Sequence, residues 1–321
     1  MPEDPTVVLS YTFPPETPGT VDDLAAEIRE RCPGIDLRRA TDRADLVARA
    51  PEADVLVEHG LPDAVLDRAE RLSWVQSLSA GYGRYDRDRL REMDVALTTV
   101  SGAHAPAIAQ QTLAYLLLFE RNLLRGLRQA DRREWRRYPA GELTGRTLGV
   151  VGVGAIGGRV ADLGAACGMD VLGLRRHPER GHPSVEEMVG PDDLHDLLGR
   201  ADYVVLACPL TDETRGLIDD AALASMRTGT VLVNVARGAV VEQDALVASL
   251  AAGDLRGAAL DVADPEPLPR ESPLWDLGNV VVTPHNAGGS QHFPARCADV
   301  FARNYERYVA GDRDGMENRA V

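Results

Sequence analysis

No lysine occurs anywhere in the 321 residues, so all 35 basic side chains are arginine, set against 50 Asp and Glu for a net charge of −15. A surface this acidic repels nucleic acid and anionic membranes, and neither is expected as a partner. The balance, with Asp outnumbering Glu, is similar to that of proteins from salt-adapted cytoplasms, where high ionic strength screens self-repulsion. A halophilic source is therefore expected, although GC-rich codon usage would also remove lysine. Cysteine is scarce: Cys32, Cys167, Cys208 and Cys297 stand far apart with no C-x-x-C pair, which excludes a disulfide framework and a zinc site and leaves small buried apolar residues. No metal site is expected. Missing too is any run of 18 uncharged apolar residues, and the acidic start MPEDPTVVLSYTF has no basic segment leading into an apolar stretch. A soluble cytoplasmic protein is the expectation.

What is present is a regular alternation of short apolar strands and helical stretches. TVVLSY (6–11), IDLRRA, ADVLVEH (53–59), WVQSLSAG and VALTTV read as strands, with helices expected over 21–32 and over 61–72, where Pro62 suits a first turn. A long helical pattern runs from Ala105 to Arg125. Its apolar positions cover much of the circumference, as expected of a helix buried between domains or at a subunit interface. Trp135 in the charged segment that follows reads equally as an exposed anchor for a partner chain or as a core residue covering a loop, and with the long helix it suggests a homodimer. Beyond it, YVVLACP, VLVNVA, GAALDV and NVVVTPH are strands separated by helices. Near-continuous Val/Leu runs between helices point to parallel sheets covered on both faces.

Residues 148–176 carry the most specific motif. A β-branched strand runs into Gly152-x-Gly154-x-x-Gly157, then a helix, then the strand DVLGL ending on Arg175 and Arg176. Gly152 allows the tight turn, Gly154 lets the backbone approach a pyrophosphate, and Gly157 lets the helix pack against the strand. The helix N-terminus offers N–H groups and a positive dipole end to the phosphates. At the end of the second strand an acid would accept the ribose 2′-OH and repel a 2′-phosphate, whereas arginine attracts it. NADP(H) is the expected cofactor, with NAD(H) as the alternative.

Three chemistry-bearing residues lie just past the C-terminal ends of later strands, where open parallel sheets place ligands. Arg237 follows VLVNVA, Glu266 lies in DVADPEPLP, and His285 ends NVVVTPH. A guanidinium grips a carboxylate bidentately, and a His held by a carboxylate exchanges a proton near neutral pH. The other histidines, His59, His104, His177, His182, His195 and His292, have no ligand-like spacing.

Around these residues the chain resembles the D-isomer-specific 2-hydroxyacid dehydrogenase family. MRTGTVLVNVARGAVVE (226–242) matches the family's arginine signature, and the fingerprint, CPLTDETRGLI (208–218), DVADPEPLP and TPHNAGG occur in the family's order. The resemblance implies an α/β architecture of two Rossmann-like, doubly wound parallel-sheet domains with the active site in the cleft between them. The first, substrate-binding domain would comprise 1–103 and 287–321, and the dinucleotide-binding domain 104–286. It further implies that Arg237 binds the carboxylate of a small 2-oxo or 2-hydroxy acid, that His285 exchanges a proton with the carbonyl oxygen, and that Glu266 holds the imidazole. Ala155, Ile156, Cys208, Pro209, Thr214, Val235, Asp261 and Gly288 would line the cofactor, beside Gly152, Gly154 and Gly157. Ser79, Ala80 and Gly81 match the loop whose backbone N–H groups receive the substrate carboxylate. Two departures stand out: Gln110 and Gln111 where family members often carry Glu-His, and Asn286-Ala287-Gly288-Gly289 after His285 in place of the commoner x-Ser-x-x-Thr. No regulatory extension follows Val321, so the longer phosphoglycerate dehydrogenases are not expected. Oxidation of formate is disfavoured by Glu266, where formate enzymes carry Gln. The alternative function is a nucleotide-sensing, corepressor-like protein of the same fold.

Overall fold

The computed structural model describes residues 4–14 and 18–321. The chain divides into two compact units, Met1–His104 with Gly289–Val321, and Ala105–Gly288.

Unit one is built on five parallel strands: β1 (Thr6–Leu9), β2 (Asp36–Arg39), β3 (Val55–Glu58), β4 (Trp74–Ser77) and β5 (Ala96–Thr98), in the order β2-β1-β3-β4-β5. Strand alternation sends side chains to two separate cores. Val7, Leu9, Val55, Val57 and Trp74 pack under the helices Val21–Arg31 and Phe293–Val309. Val8, Leu56, Val75 and Leu97 face the opposite way, onto Leu46, Val65, Leu66 and Leu90. Trp74 stacks on Phe301 with ring centroids 5.2 Å apart, and its indole N–H donates to Thr98 Oγ1 at 2.8 Å, so the largest buried ring leaves no polar atom unpaired.

Unit two carries seven parallel strands: β6 (Thr147–Val151), β7 (Asp170–Leu174), β8 (Glu187–Val189), β9 (Tyr203–Leu206), β10 (Val231–Asn234), β11 (Gly257–Leu260) and β12 (Val280–Val282). Their order is β12-β11-β10-β9-β6-β7-β8. The order reverses between β6 and β9, which is the switch point at which doubly wound sheets bind ligands. Here too both faces are buried. Val204, Leu206 and Leu232 meet the helices Leu194–Arg200, Asp220–Ser225 and Gln243–Ala252, while Tyr203, Val205, Val231 and Val233 meet Ala105–Glu120 and Ala155–Ala166.

Several elements differ from the sequence expectation. The helix expected over 61–72 is only Asp63–Leu66. The segment beyond it bends because Arg71 grips Asp54 through three N–H···O contacts of 2.8–3.2 Å, and Ser73 N–H donates to the Asp54 carbonyl. These tertiary bonds steer the chain into β4 and override helical propensity. The long helix stops at Glu120 rather than Arg125. Gly141 N–H takes the Glu120 carbonyl, the Arg256 guanidinium takes the Phe119 carbonyl, and Asn122 turns left-handed at φ 54° before a second helix, Leu123–Asp131. Asn tolerates that conformation better than most residues. Finally, β8 has only three residues at the sheet edge, and neither it nor the helix Phe293–Val309 was read from the sequence.

Candidate active site

At the end of β6, Gly152 has φ 100°. A Cβ there would lie 2.5 Å from the Cys208 backbone nitrogen, so only glycine allows β6 and the β9 exit to run this close, joined by Ala207 N–H to Val151 O at 2.8 Å. Gly157, buried in the first turn of the helix Ala155–Ala166, packs against the Gly152 carbonyl. At Gly154, the N-cap position, no side chain caps the helix, and a Cβ would meet nothing within 4 Å. Gly154 and Ala155 are exposed, Ile156 half-buried. An uncapped helix N-terminus opening onto clear space is a cradle suited to a diphosphate.

The other expected cofactor-lining residues follow the neighbouring strands. Cys208 and Val235 are buried, and burial pushes the Cys208 thiol up to about 11; it is an apolar wall and not a thiolate nucleophile. Pro209 is exposed. The Thr214 hydroxyl donates to the Pro209 carbonyl at 2.6 Å and accepts from Thr211 N–H at 2.8 Å, so it folds its own loop. Arg175 and Arg176 stand at the end of β7 with no acid in the position. Arg175 donates to the Gly181 carbonyl at 3.3 Å. Arg176 pairs with Glu213 at 2.6 Å, but both partners are largely exposed, and such a pair is weak enough to exchange.

Arg237, Glu266 and His285 follow β10, β11 and β12, three adjacent parallel strands. Asn234 shapes the first turn: its side-chain amide donates to the Arg237 carbonyl and its Oδ1 accepts Ala236 N–H, both at 3.0 Å. Next to it, a Cβ on Gly238 would lie 2.0 Å from the Ala263 carbonyl carbon, so glycine is what lets the arginine turn meet the Glu266 loop. Arg237 itself is exposed, with Nη1 donating to the Ala236 carbonyl at 2.6 Å. Glu266 Oε1 accepts Ala263 N–H at 3.2 Å, and its Oε2 lies 2.8 Å from His285 Nδ1. A carboxylate only accepts, so Nδ1 carries the proton and Nε2 is the nitrogen left for exchange.

His285 has φ 52°. Its turn is held by Asp261, which is 3% exposed. The Asp261 carbonyl accepts His285 N–H at 2.7 Å, and its carboxylate accepts Thr283 Oγ1, Asn286 N–H and Ala287 N–H at 2.6, 2.9 and 3.0 Å. Asp261, expected against the cofactor, is thus bonded within the histidine turn, and Gly288 follows that turn half-buried. Asn234, Gly238 and Thr283 were missed by sequence reasoning. The contiguity of Asn234 and Gly238 with Arg237 was the available signal.

In unit one, Ser79 N–H donates to Ser77 Oγ at 3.0 Å, and Ser79 Oγ lies 3.0 Å from His59 Nδ1. Ser79 therefore uses its own N–H to shape the loop, with Ala80 and Gly81 exposed beyond it.

A family model described as D-isomer specific 2-hydroxyacid dehydrogenase, NAD binding domain, matches residues 113–287. The chain belongs to this dehydrogenase family. It is similar to a glyoxylate reductase of Aeropyrum pernix, 34% identical over 280 residues and covering 83% of each chain. It is also similar to a D-3-phosphoglycerate dehydrogenase of Methanocaldococcus jannaschii, 30% identical over 296 residues, 90% of this chain but only 56% of that protein. The chain thus spans little more than half the length of that relative. Among solved family structures, it is similar to the Xanthobacter autotrophicus Py2 D-isomer specific 2-hydroxyacid dehydrogenase in complex with NADPH (28% identity, TM-score 0.82, covering 99% of this chain and 98% of that one). The D-lactate dehydrogenase of Aquifex aeolicus, complexed with NAD and lactic acid, is similar at 25% identity and TM-score 0.72, covering 98% and 99%. Members of the family are NAD(P)-dependent oxidoreductases that act on small hydroxy or oxo acids.

Proposed function

We propose that the chain reduces small 2-oxo acids to D-2-hydroxy acids, with NADP(H) the favoured cofactor and NAD(H) secondary. The observation that carries this reading is the His285–Glu266 pair, 2.8 Å apart, on loops that follow β12 and β11, next in the sheet to β10 and its Arg237. The dinucleotide, when bound, supplies the hydride, and Gly152, Gly154 and the N-terminus of the helix from Ala155 would hold its diphosphate. Arg237 grips the substrate carboxylate through its guanidinium fork. His285, entering as imidazolium, donates from Nε2 to the carbonyl oxygen as that oxygen gains negative charge. Glu266 keeps the ring oriented and balances its charge while the proton is present. In the oxidative direction the same Nε2 accepts the hydroxyl proton. Asp261 sets the histidine turn, with Cys208, Val235, Ile156 and Gly288 forming apolar wall around the cofactor.

The NADP(H) preference rests on Arg175 and Arg176 and on the absence of an acid at the end of β7. Glyoxylate and hydroxypyruvate are the first substrates to test, given the similarity to a glyoxylate reductase and to a hydroxypyruvate reductase. Two copies are proposed to pair through the face of Leu117, Leu123, Leu127 and the fully exposed Trp135, a hydrophobic group too large to be left in water without reason. The net charge of −15 supports a salt-adapted cytoplasmic setting.

Steady-state turnover of glyoxylate, hydroxypyruvate, pyruvate and longer 2-oxo acids with NADPH and NADH tests the reading. Reduction of at least one acid, with the higher kcat/KM for NADPH, is expected. Tight dinucleotide binding without turnover of any acid would replace it with the nucleotide-sensing function.

A further inference from the structure

We infer that Tyr115 is a positioning residue for His285, acting through Thr283 and Asp261 by a chain of hydroxyl donors that runs one way. The inference rests on the proposed role of His285.

A non-glycine residue at φ 52° keeps that conformation only where its surroundings over-determine it. For His285 the determinant is Asp261. Its carbonyl takes the His285 N–H, and its carboxylate takes the next two backbone N–H groups, of Asn286 and Ala287. The orientation of the Asp261 carboxylate therefore sets where the imidazole starts.

That orientation is held by a hydroxyl as well. Thr283 Oγ1 donates its single proton to Asp261 Oδ1 at 2.6 Å. Tyr115 OH lies 2.5 Å from the same Thr283 oxygen, and with the threonine proton already committed, the tyrosine must be the donor. Gln111 Nε2 then donates to the tyrosine oxygen at 3.0 Å. The direction Gln111 to Tyr115 to Thr283 to Asp261 leaves no alternative arrangement, and successive donors polarise one another. Tyr115 is 3% exposed, and burial pushes its phenol above the ordinary tyrosine range. It stays a proton donor at every working pH. Gln111 at the head of the chain is a neutral amide that does not titrate, so the relay holds its direction as His285 gains and loses its proton. The helix Ala105–Glu120, packed along the sheet, is thereby tied to the histidine turn by side chains as well as by apolar contact.

The test compares Thr283→Val, which keeps the shape and removes the hydroxyl, with Thr283→Ser, which keeps the hydroxyl, and with the near-isosteric Tyr115→Phe. Displacement of a catalytic group by as much as 1 Å costs about 10²-fold. Looser anchoring in Thr283→Val and Tyr115→Phe is expected to lower kcat by about 10-fold, with the KM for NADPH held. Thr283→Ser should restore most of the turnover. Backbone hydrogen exchange of the peptide containing Asn286 and Ala287 should quicken in Thr283→Val and Tyr115→Phe but not in Thr283→Ser. Equal losses in Thr283→Val and Thr283→Ser that track a common fall in Tm would mean packing alone and overturn the inference. Unchanged kcat and unchanged exchange in Thr283→Val and Tyr115→Phe would overturn it as well. The exchange measurement needs no turnover, so a parent protein that reduces no 2-oxo acid yet shows the exchange pattern would remove the proposed function while leaving the anchoring of the turn.

Discussion

Glu266 Oε2 and His285 Nδ1 are 2.8 Å apart, although the two residues follow different strands and 19 positions separate them. The contact assigns the imidazole protons: Nδ1–H faces the carboxylate, leaving Nε2 for chemistry.

Removing the ring should therefore be costly. His285→Ala is expected to lower kcat by ~10²–10⁴, the worth of general acid–base catalysis. Glu266→Gln keeps a partner for the ring but loses the charge, and a smaller loss is expected. Near-normal steady-state turnover by His285→Ala would rule out the proton-exchange role.

Arg237→Lys replaces a fork with a point charge. Loss of a charge-assisted bidentate pair should lower kcat/KM for the oxo acid by about 10- to 100-fold, while the KM for NADPH stays put. A variant whose only change is in cofactor KM would place Arg237 elsewhere in the site.

At the end of β7, Arg175→Asp and Arg176→Asp should each weaken NADPH more than NADH. Both arginines are partly solvated, so the expected discrimination is about tenfold and falls as salt is raised. If the wild type has the lower KM for NADH and neither variant changes the ratio, the two arginines do not read the 2′-phosphate.

Glu58, 3% exposed, has its Oε2 buried without a partner among the described residues, and burial raises its carboxyl above the ordinary glutamate range. A raised carboxyl binds its proton more tightly in the folded state. Its favourable share of stability is therefore fully present below the unfolded pKa and is lost as pH rises through the folded one. Comparing Tm of wild type and Glu58→Gln from pH 4 to pH 7, the difference should move in favour of Gln as pH rises. A difference that stays flat, or moves the other way, contradicts the linkage.

Salt should stabilise the folded chain. Screening shortens the Debye length from ≈ 10 Å at 0.1 M to ≈ 3 Å at 1 M, which weakens self-repulsion across a surface of net charge −15. It also weakens surface ion pairs such as Arg200 with Glu187, but exposed pairs contribute only about 0–1 kcal/mol each. A Tm that rises with KCl is the expected outcome, and indifference to KCl would remove the salt-adapted reading.

Features that depend on local pattern were legible in the chain. Buried parallel strands announce themselves as Val/Leu runs, and Gly152, Gly154 and Gly157 mark a turn with steric requirements that few other residues satisfy. Arg237, Glu266 and His285 were legible because each sits within a few residues of a strand end, and parallel strands deliver their C-terminal ends to one edge. The rest emerged only on folding, because the interactions responsible join residues remote in the chain. The long helix ends at Glu120 because Arg256 and Gly141 take its last carbonyls. The helix after Pro62 is cut short because Arg71 must reach Asp54. Asp261, with an ordinary aspartate in its sequence context, becomes the clamp of the histidine turn only once β11 and β12 lie side by side. Tyr115 reaches that clamp only because its helix packs across the sheet: hydrogen bonds depend on distances of about 3 Å, and no periodicity in the chain encodes which distant side chains will come that close.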